Sequence, residues 1–398
     1  MKVLYLAYCT PYSKVTHAGG QTFNYYINNV AKKGDEVTLI SFCEYNELRN
    51  IDIEKNNINF IPIIWPRGYK KYIGKLLSLN SKLNPYYKYS NLNTKYSILM
   101  LISKLKKLRN EGYFPDIIVL EWTQMVLMID YIKAIYPKSK YVASEHDVTF
   151  LGWERKTKYT SDYLKKCYLK IQYTTLKKAE INALKKCDLI FTHNEKDRTI
   201  IINESDELKS KVSVLTPYYH KSIIEYKQNN NDILFFGYMA RKENEISAIW
   251  FIENVMPKLI DLDIRFVIIG GGVTNRLREY ESDKVIIKGY VEKIDKLFSE
   301  GFCFVAPLQL GAGIKVKVIE ALQTGITVVA NGIAIEGIDV ENGKDFYYAN
   351  KDTEYENIIR NLYFSKIKKL SGKNFIDNNF SLKDSFENYY NRICNIIG

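Results

Sequence analysis

GAGIKVKVIEA, residues 311–321, is a glycine-rich turn running into an amphipathic segment, and the fold is read outward from it. It follows an apolar run at residues 302–306 and precedes Gly325. At about 100° per residue, Ile314, Val318, Ile319, Ala321 and Leu322 fall on one broad apolar face, while Lys317 and Glu320 lie near each other on another. The segment is thus a buried helix with a polar edge. Its opening has no Ser, Asp or Asn to cap it, and Lys315 and Lys317 occupy the first turn, where the macrodipole disfavours cations. Free backbone N–H groups after Gly311 and Gly313, two lysines and the positive helix end would together hold a diphosphate. Glu320, one turn further on, would then accept hydrogen bonds from paired ribose hydroxyls. An ordinary strand-to-helix turn with solvent-facing lysines accounts for the same charge placement equally well.

On either side of this segment, strand and helix patterns alternate. The second half reads as strands at 233–236, 265–269, 285–287, 302–306 and 327–330, with helices from about Ile246 and from Ile314. The first half reads as strands at 2–8, 36–42, 59–64, 116–120, 140–144, 188–192 and 212–215. A loop closing on Gly19-Gly20 leads into a helix at 21–33, ended by Gly34 as a left-handed cap. Such alternation implies α/β architecture, with parallel sheets covered on both faces. The pattern breaks at Thr216-Pro217 and at the polar run 229–231. The expected organisation is therefore a first domain at 1–216, a linker at 217–231, a second domain at 232–384, and a terminal helix at 385–398 packing back on the first domain. Two doubly wound domains bind ligands beyond the carboxyl ends of their strands.

With 398 residues, 46% hydrophobic and 26% charged, the chain has material for two cores and is too apolar for general disorder. Six widely spaced cysteines, without a C-x-x-C pair, read as reduced core thiols of a cytoplasmic protein. The short apolar run 3–9 ends at Thr10-Pro11 and reads as a first strand, not a signal peptide. No run approaches the ~20 apolar residues that span a bilayer, so membrane contact would be peripheral. The net charge of +12 is concentrated: between Arg67 and Arg109 there are eleven Lys or Arg and no Asp or Glu. That stretch would meet anions such as phospholipid headgroups or a phosphorylated acceptor, or it is a solvated lysine-rich surface.

The surroundings of the glycine-rich turn extend this reading. FFGYM at 235–239, FVIIGGG at 266–272, GYVEKI at 289–294, APLQLGAGIKVKVIEALQTG at 306–325 and IEGI at 335–338 form an ordered set. In order and spacing this set resembles the family 4 glycosyltransferases of the GT-B fold, two Rossmann-like domains facing a central cleft. In the first half, AGGQ at 18–21, SEHD at 144–147 and AEINALKKCDLI at 179–190 resemble the family more loosely. The resemblance implies that Glu320 contacts the nucleotide ribose, that Tyr290 and Val291 lie by the base, and that His146 faces the donor sugar. It also implies that Gly20, with Gly19, lets the backbone approach the reacting centre. Many members carry a glutamate where this chain has Ala312, and an Arg and a Lys directly after the glycine matching Gly237. Here Lys315, with Arg241 or Lys242, would replace that phosphate clamp, joined by Gly313, Ile314 and Lys317.

The implied reaction is retaining transfer from a UDP- or GDP-linked sugar, itself a substrate, to a glycan, lipid-linked or protein acceptor in surface-glycan synthesis. His146, Lys315 and Glu320 would carry it without a metal or other cofactor, since positive groups and oriented N–H donors can stabilise the leaving phosphate. The expected location is cytoplasmic, peripheral at the inner membrane face through residues 67–109. Three alternatives stand beside it: a sugar-nucleotide epimerase on the same fold, an inactive nucleotide-sugar binder, and a nucleic-acid-binding protein using the basic stretch. The last leaves the phosphate loop unexplained, so no nucleic-acid partner is expected.

Overall fold

The computed structural model describes residues 1–15, 17–66, 84–89, 92–158, 160–311 and 313–398. The chain divides into two compact units, Met1–Tyr218 with Leu382–Gly398, and Tyr219–Ser381.

The first unit holds seven parallel strands: β1 (Lys2–Ala7), β2 (Glu36–Cys43), β3 (Ile58–Ile64), β4 (Ile117–Glu121), β5 (Lys140–Glu145), β6 (Leu189–Thr192) and β7 (Val212–Val214), in the order β3-β2-β1-β4-β5-β6-β7. β1 shows how the sheet is covered. Its alternate residues Leu4 and Leu6 enter one core, and Val3, Tyr5 and Ala7 enter the other, as the two-residue period of a strand requires. The second core is closed by the helices Ala18–Lys32 and Leu382–Asn395, the latter contributing Phe386, Tyr389 and Ile393. Tyr389 shares a buried hydroxyl–hydroxyl hydrogen bond of 3.0 Å with Tyr5, and Lys33 pairs with Glu387 at 3.0 Å.

The helix expected from residue 21 begins at Ala18, so Gly19 and Gly20 lie inside its first turn. Glycine disfavours a helix interior, but His17 compensates: its Nδ1 accepts the Gly20 N–H at 2.9 Å and satisfies one of the orphan donors of the first turn. Of the basic stretch, residues 67–83, 90 and 91 lie outside the described residues, Lys70, Lys71 and Lys75 among them. Lys95–Asn110 is a helix opened by a Thr94–Ser97 capping box. Tyr89, within the stretch expected to meet anions, is buried in the first core. Of the cysteines expected in cores, Cys167 is exposed.

The second unit holds β8 (Asp232–Phe236), β9 (Arg265–Ile269), β10 (Val285–Gly289), β11 (Cys303–Ala306), β12 (Val328–Ala330) and β13 (Tyr347–Tyr348), all parallel, in the order β10-β9-β8-β11-β12-β13. The two-residue β13 was too short to be read as a strand. Residues 219–231 pack into this unit: Tyr226 donates its hydroxyl to Gly301 O at 3.0 Å, and the Lys227 N–H reaches Ser299 O at 2.8 Å. At the ends of β8 and β9, Gly270 has φ +137°, and a Cβ there would stand 1.9 Å from Gly237 O. Only glycine lets these two backbones meet. Among the described residues no helix is long and apolar enough to cross a membrane.

Candidate functional site

In the second sheet the chain winds outward in opposite directions from β8 and β11, which lie side by side. The loops after them diverge there, the position at which open α/β sheets bind ligands. One loop, residues 237–241, leads into the helix Lys242–Asn254; the other, residues 307–315, leads into the helix Val316–Thr324. Gly311 at φ +140° and Gly313 at φ +69° shape the second loop. The helix starts two residues later than Ile314, with Lys315 at its N-cap and no side-chain cap. Every residue of the helix is buried except Lys317, which is half-buried, and Gly325 ends it in the left-handed conformation.

Lys317 turns across to the neighbouring helix. Its Nζ donates to Asn244 Oδ1 at 2.7 Å and lies 4.7 Å from the Phe235 ring centroid. Asn244 in turn donates to Tyr238 O at 2.9 Å. Gly237 makes room for it, since a Cβ there would come within 2.7 Å of the amide nitrogen. Among the described residues Lys317 has no carboxylate at ion-pair distance. Burial pushes its ammonium down to about 7, and Lys315 and Arg241 act in the same direction while Glu243 opposes them. The Lys317 ammonium therefore lies in a cationic field beside an uncapped helix start, where a bound anion would favour its charged form.

Lys315 is placed differently from its sequence reading. Its ammonium donates to Gly313 O and faces Glu336 Oε2 at 3.7 Å. Glu336 belongs to the IEGI stretch, which was part of the family pattern but had been given no role. Arg241 is the N-cap of its helix, exposed and 3.8 Å from Glu243; Lys242 beside it is exposed. Ile314 is half-buried, and Tyr290 and Val291 follow the end of β10, the tyrosine 74% exposed. A Cβ at Gly271 would stand 3.8 Å from the Tyr238 ring and 3.8 Å from the Tyr290 Cβ.

Glu320 is buried on the same helix. One of its oxygens, Oε1, accepts the His220 N–H at 3.1 Å, and the His220 ring Nε2 lies 3.1 Å from both oxygens of Asp295. Burial pushes the Glu320 carboxyl up to about 7, partly offset by the His220 hydrogen bond. The roles of His220 and Asp295 were not legible, because neither sits in a motif.

The carboxyl edge of the first sheet has its own cluster. His146 follows β5, and its Nε2 lies 3.0 Å from Oε2 of Glu121, the last residue of β4. The imidazole stacks on Trp122, with centroids 4.4 Å apart at 17°, and meets the His193 ring at 4.7 Å. Trp122 takes φ +67°, a conformation costing a bulky residue about 1–2 kcal/mol. Deeper in, the Thr123 hydroxyl donates to Glu145 at 2.5 Å, and the Thr149 N–H donates to Glu180 at 3.1 Å; burial pushes both carboxyls up. Gly20 is buried against Val15 and the His17 ring, where a Cβ would come within 2.6 Å of Val15. Glu121 and Trp122 were missed by sequence reasoning. An acid closing an otherwise apolar strand was the available signal.

Two parallel α/β units, of seven and six strands, define the GT-B class of fold. Its likeness to solved structures extends over whole chains. Anabaena HepE in complex with UDP is 11% identical and superposes with a TM-score of 0.68, covering 99% of this chain and 100% of that one. The same protein has been solved with UDP-glucose. Sucrose-phosphate synthase from Thermosynechococcus elongatus is 10% identical with a TM-score of 0.71, covering 100% and 99%. Residues 230–363 match the family model described as Glycosyl transferases group 1. Over this part of the second unit the chain is similar to group 1 glycosyltransferases. A Klebsiella pneumoniae relative, described as an uncharacterized 44.6 kDa protein in cps region, is 24% identical over 198 residues. That match takes in 46% of this chain and spans half the length of the relative.

Proposed function

We propose that the chain transfers a sugar from a UDP-sugar, with retention of configuration, to a glycan, lipid-linked or protein acceptor in surface-glycan assembly. The observation that carries this reading is the cationic cluster of Lys317, Lys315 and Arg241 at an uncapped helix start, one turn before the buried Glu320. A diphosphate supplies an anion for the Lys317 ammonium, and a ribose supplies hydroxyls for the Glu320 oxygen that His220 leaves available. The complexes of HepE with UDP and UDP-glucose support the choice of uracil, and the cps-region relative supports an acceptor in capsule or other surface glycan.

In this reading the bond between the anomeric carbon and the β-phosphate oxygen breaks, and negative charge grows on the departing diphosphate. Lys317, Arg241 and the backbone N–H groups at Gly313 and Ile314 stabilise that charge, the role oriented donors fill at low reorganisation cost. Lys315, already facing Glu336, acts mainly on loop shape. Tyr290 and Val291 meet the base, and His146 positions the donor sugar, with Gly20 keeping the first turn of its helix close-packed.

Thermal melting with UDP, UDP-glucose, GDP, GDP-mannose and uridine tests the reading. UDP and UDP-glucose should raise the melting temperature most, because a ligand at about 100 times its Kd adds about 2.7 kcal/mol to the folded state. Stabilisation by none of the nucleotides, or by uridine as strongly as by UDP, contradicts it.

A further inference from the structure

β4 ends in Glu121, and Trp122 follows it. Along an extended strand, successive side chains point to opposite faces. The left-handed turn at Trp122 breaks that alternation, so that both residues reach the same imidazole. The Glu121 carboxyl meets the His146 edge at Nε2, 3.0 Å away, and the Trp122 indole covers its face. The opposite nitrogen, Nδ1, faces Gly19: a Cβ there would stand 3.2 Å from Nδ1 and 3.5 Å from the indole. Among the described residues nothing hydrogen-bonds Nδ1. We propose that Glu121 is a positioning residue for His146, occupying Nε2 so that Nδ1 is the nitrogen presented to substrate, with Trp122 fixing the ring plane.

This inference rests on the proposed role of His146 at the donor sugar. Burial favours the uncharged form of both partners, pushing the Glu121 carboxyl up to about 8 and His146 down to about 3. The other titratable groups facing the ring are Asp147, His17 and His193. With the carboxyl uncharged, as burial favours, the Glu121 O–H donates a hydrogen bond to Nε2 and the ring proton resides on Nδ1. His146 is then a neutral donor toward a sugar oxygen. Such a donor binds a hydroxyl without adding positive charge beside the anomeric carbon.

The test uses the full chain, with long-range nitrogen–proton NMR of its four histidine rings, UDP affinity by calorimetry, and turnover of UDP-glucose. Wild type should show His146 as one neutral tautomer protonated at Nδ1 from about pH 5 to about pH 7. An averaged ring, with no single tautomer held, overturns the proposal without any variant. Glu121→Met keeps the volume but removes the hydrogen bond. It should leave UDP affinity within about two-fold, average the His146 signals, and lower turnover about ten-fold or more. Glu121→Gln, whose amide can still donate to Nε2, should restore the tautomer and much of the turnover. Turnover lost with the His146 signals unchanged assigns Glu121 to the fold alone and overturns the proposal. If His146→Ala retains full turnover, the functional reading of His146 fails, while the tautomer measurement still decides whether Glu121 sets the ring.

Discussion

Glu320 and Lys317 titrate in opposite functional senses around the same pH. The Glu320 carboxyl, pushed up to about 7 by burial, becomes a charged and stronger acceptor for ribose hydroxyls above that pH. The Lys317 ammonium, pushed down to about 7 by burial, attracts phosphate only below it. UDP affinity should therefore peak near pH 7 and fall about ten-fold per unit well to either side. For stability the signs are separate. The contribution of Glu320 is full below its ordinary 4.5 and lost as pH rises through about 7, whereas that of Lys317 is full above its ordinary 10.5 and lost as pH falls through about 7. Calorimetric titrations across this range check the profile: Glu320→Gln should flatten the acid limb and Lys317→Met the alkaline one. The titration of the phosphate itself is common to all variants. If both limbs persist unchanged in both variants, neither group contacts the nucleotide. Glu320, Lys315 and Lys317 stood out as candidates in the sequence because they sit in one contiguous motif. The Glu121–His146 pair was not, because it joins the ends of two strands 25 residues apart in sequence, and only the left-handed turn at Trp122 completes it.

Among the elements, strands were legible to within a residue or two, since buried parallel strands are nearly continuous apolar runs. Helix starts were less so. The first helix begins three residues early because His17 caps it, and the helix after β11 begins two residues late because Gly311 and Gly313 hold left-handed conformations up to Lys315. The glycines of FVIIGGG serve packing, and this can be tested. Gly270→Ala drives a Cβ into Gly237 O at 1.9 Å, backbone against backbone, and should cost more than about 3 kcal/mol of stability. Gly343→Ala, at φ +79° with open space around it, should cost only about 1 kcal/mol. Chemical denaturation of the two variants compares them, and equal losses would refute the close approach of β8 and β9. In the terminal helix, Tyr389→Phe leaves the buried Tyr5 hydroxyl without its partner and should cost about 1–3 kcal/mol. An unchanged midpoint would mean that this hydrogen bond adds nothing net.

At the scale of the whole molecule, the two-unit organisation followed from the repeated strand and helix alternation on either side of Thr216-Pro217. The return of the last helix to the first unit was suggested only by its amphipathic pattern, and its partners Tyr5, Lys33 and Asp35 lie more than 350 residues away in sequence. The charge asymmetry leads to a further prediction. Eleven positive charges without an acid between Arg67 and Arg109 should bind anionic vesicles at low salt, each lysine near the surface adding about 1 kcal/mol. Flotation with anionic vesicles but not with neutral ones, lost at high salt, is the expected outcome. Full activity on a soluble acceptor without vesicle binding would contradict it. The central claim is that residues 311–320 hold a nucleoside diphosphate, and calorimetric titration of UDP and of uridine into wild type, Lys317→Met and Glu320→Ala tests it most directly. Wild type should bind UDP in about the micromolar range. Lys317→Met should lose about ten-fold or more of its UDP affinity while keeping its uridine affinity, and Glu320→Ala should lose affinity for both. Equal UDP affinity in all three proteins, or no binding of UDP to the wild type, would contradict the account.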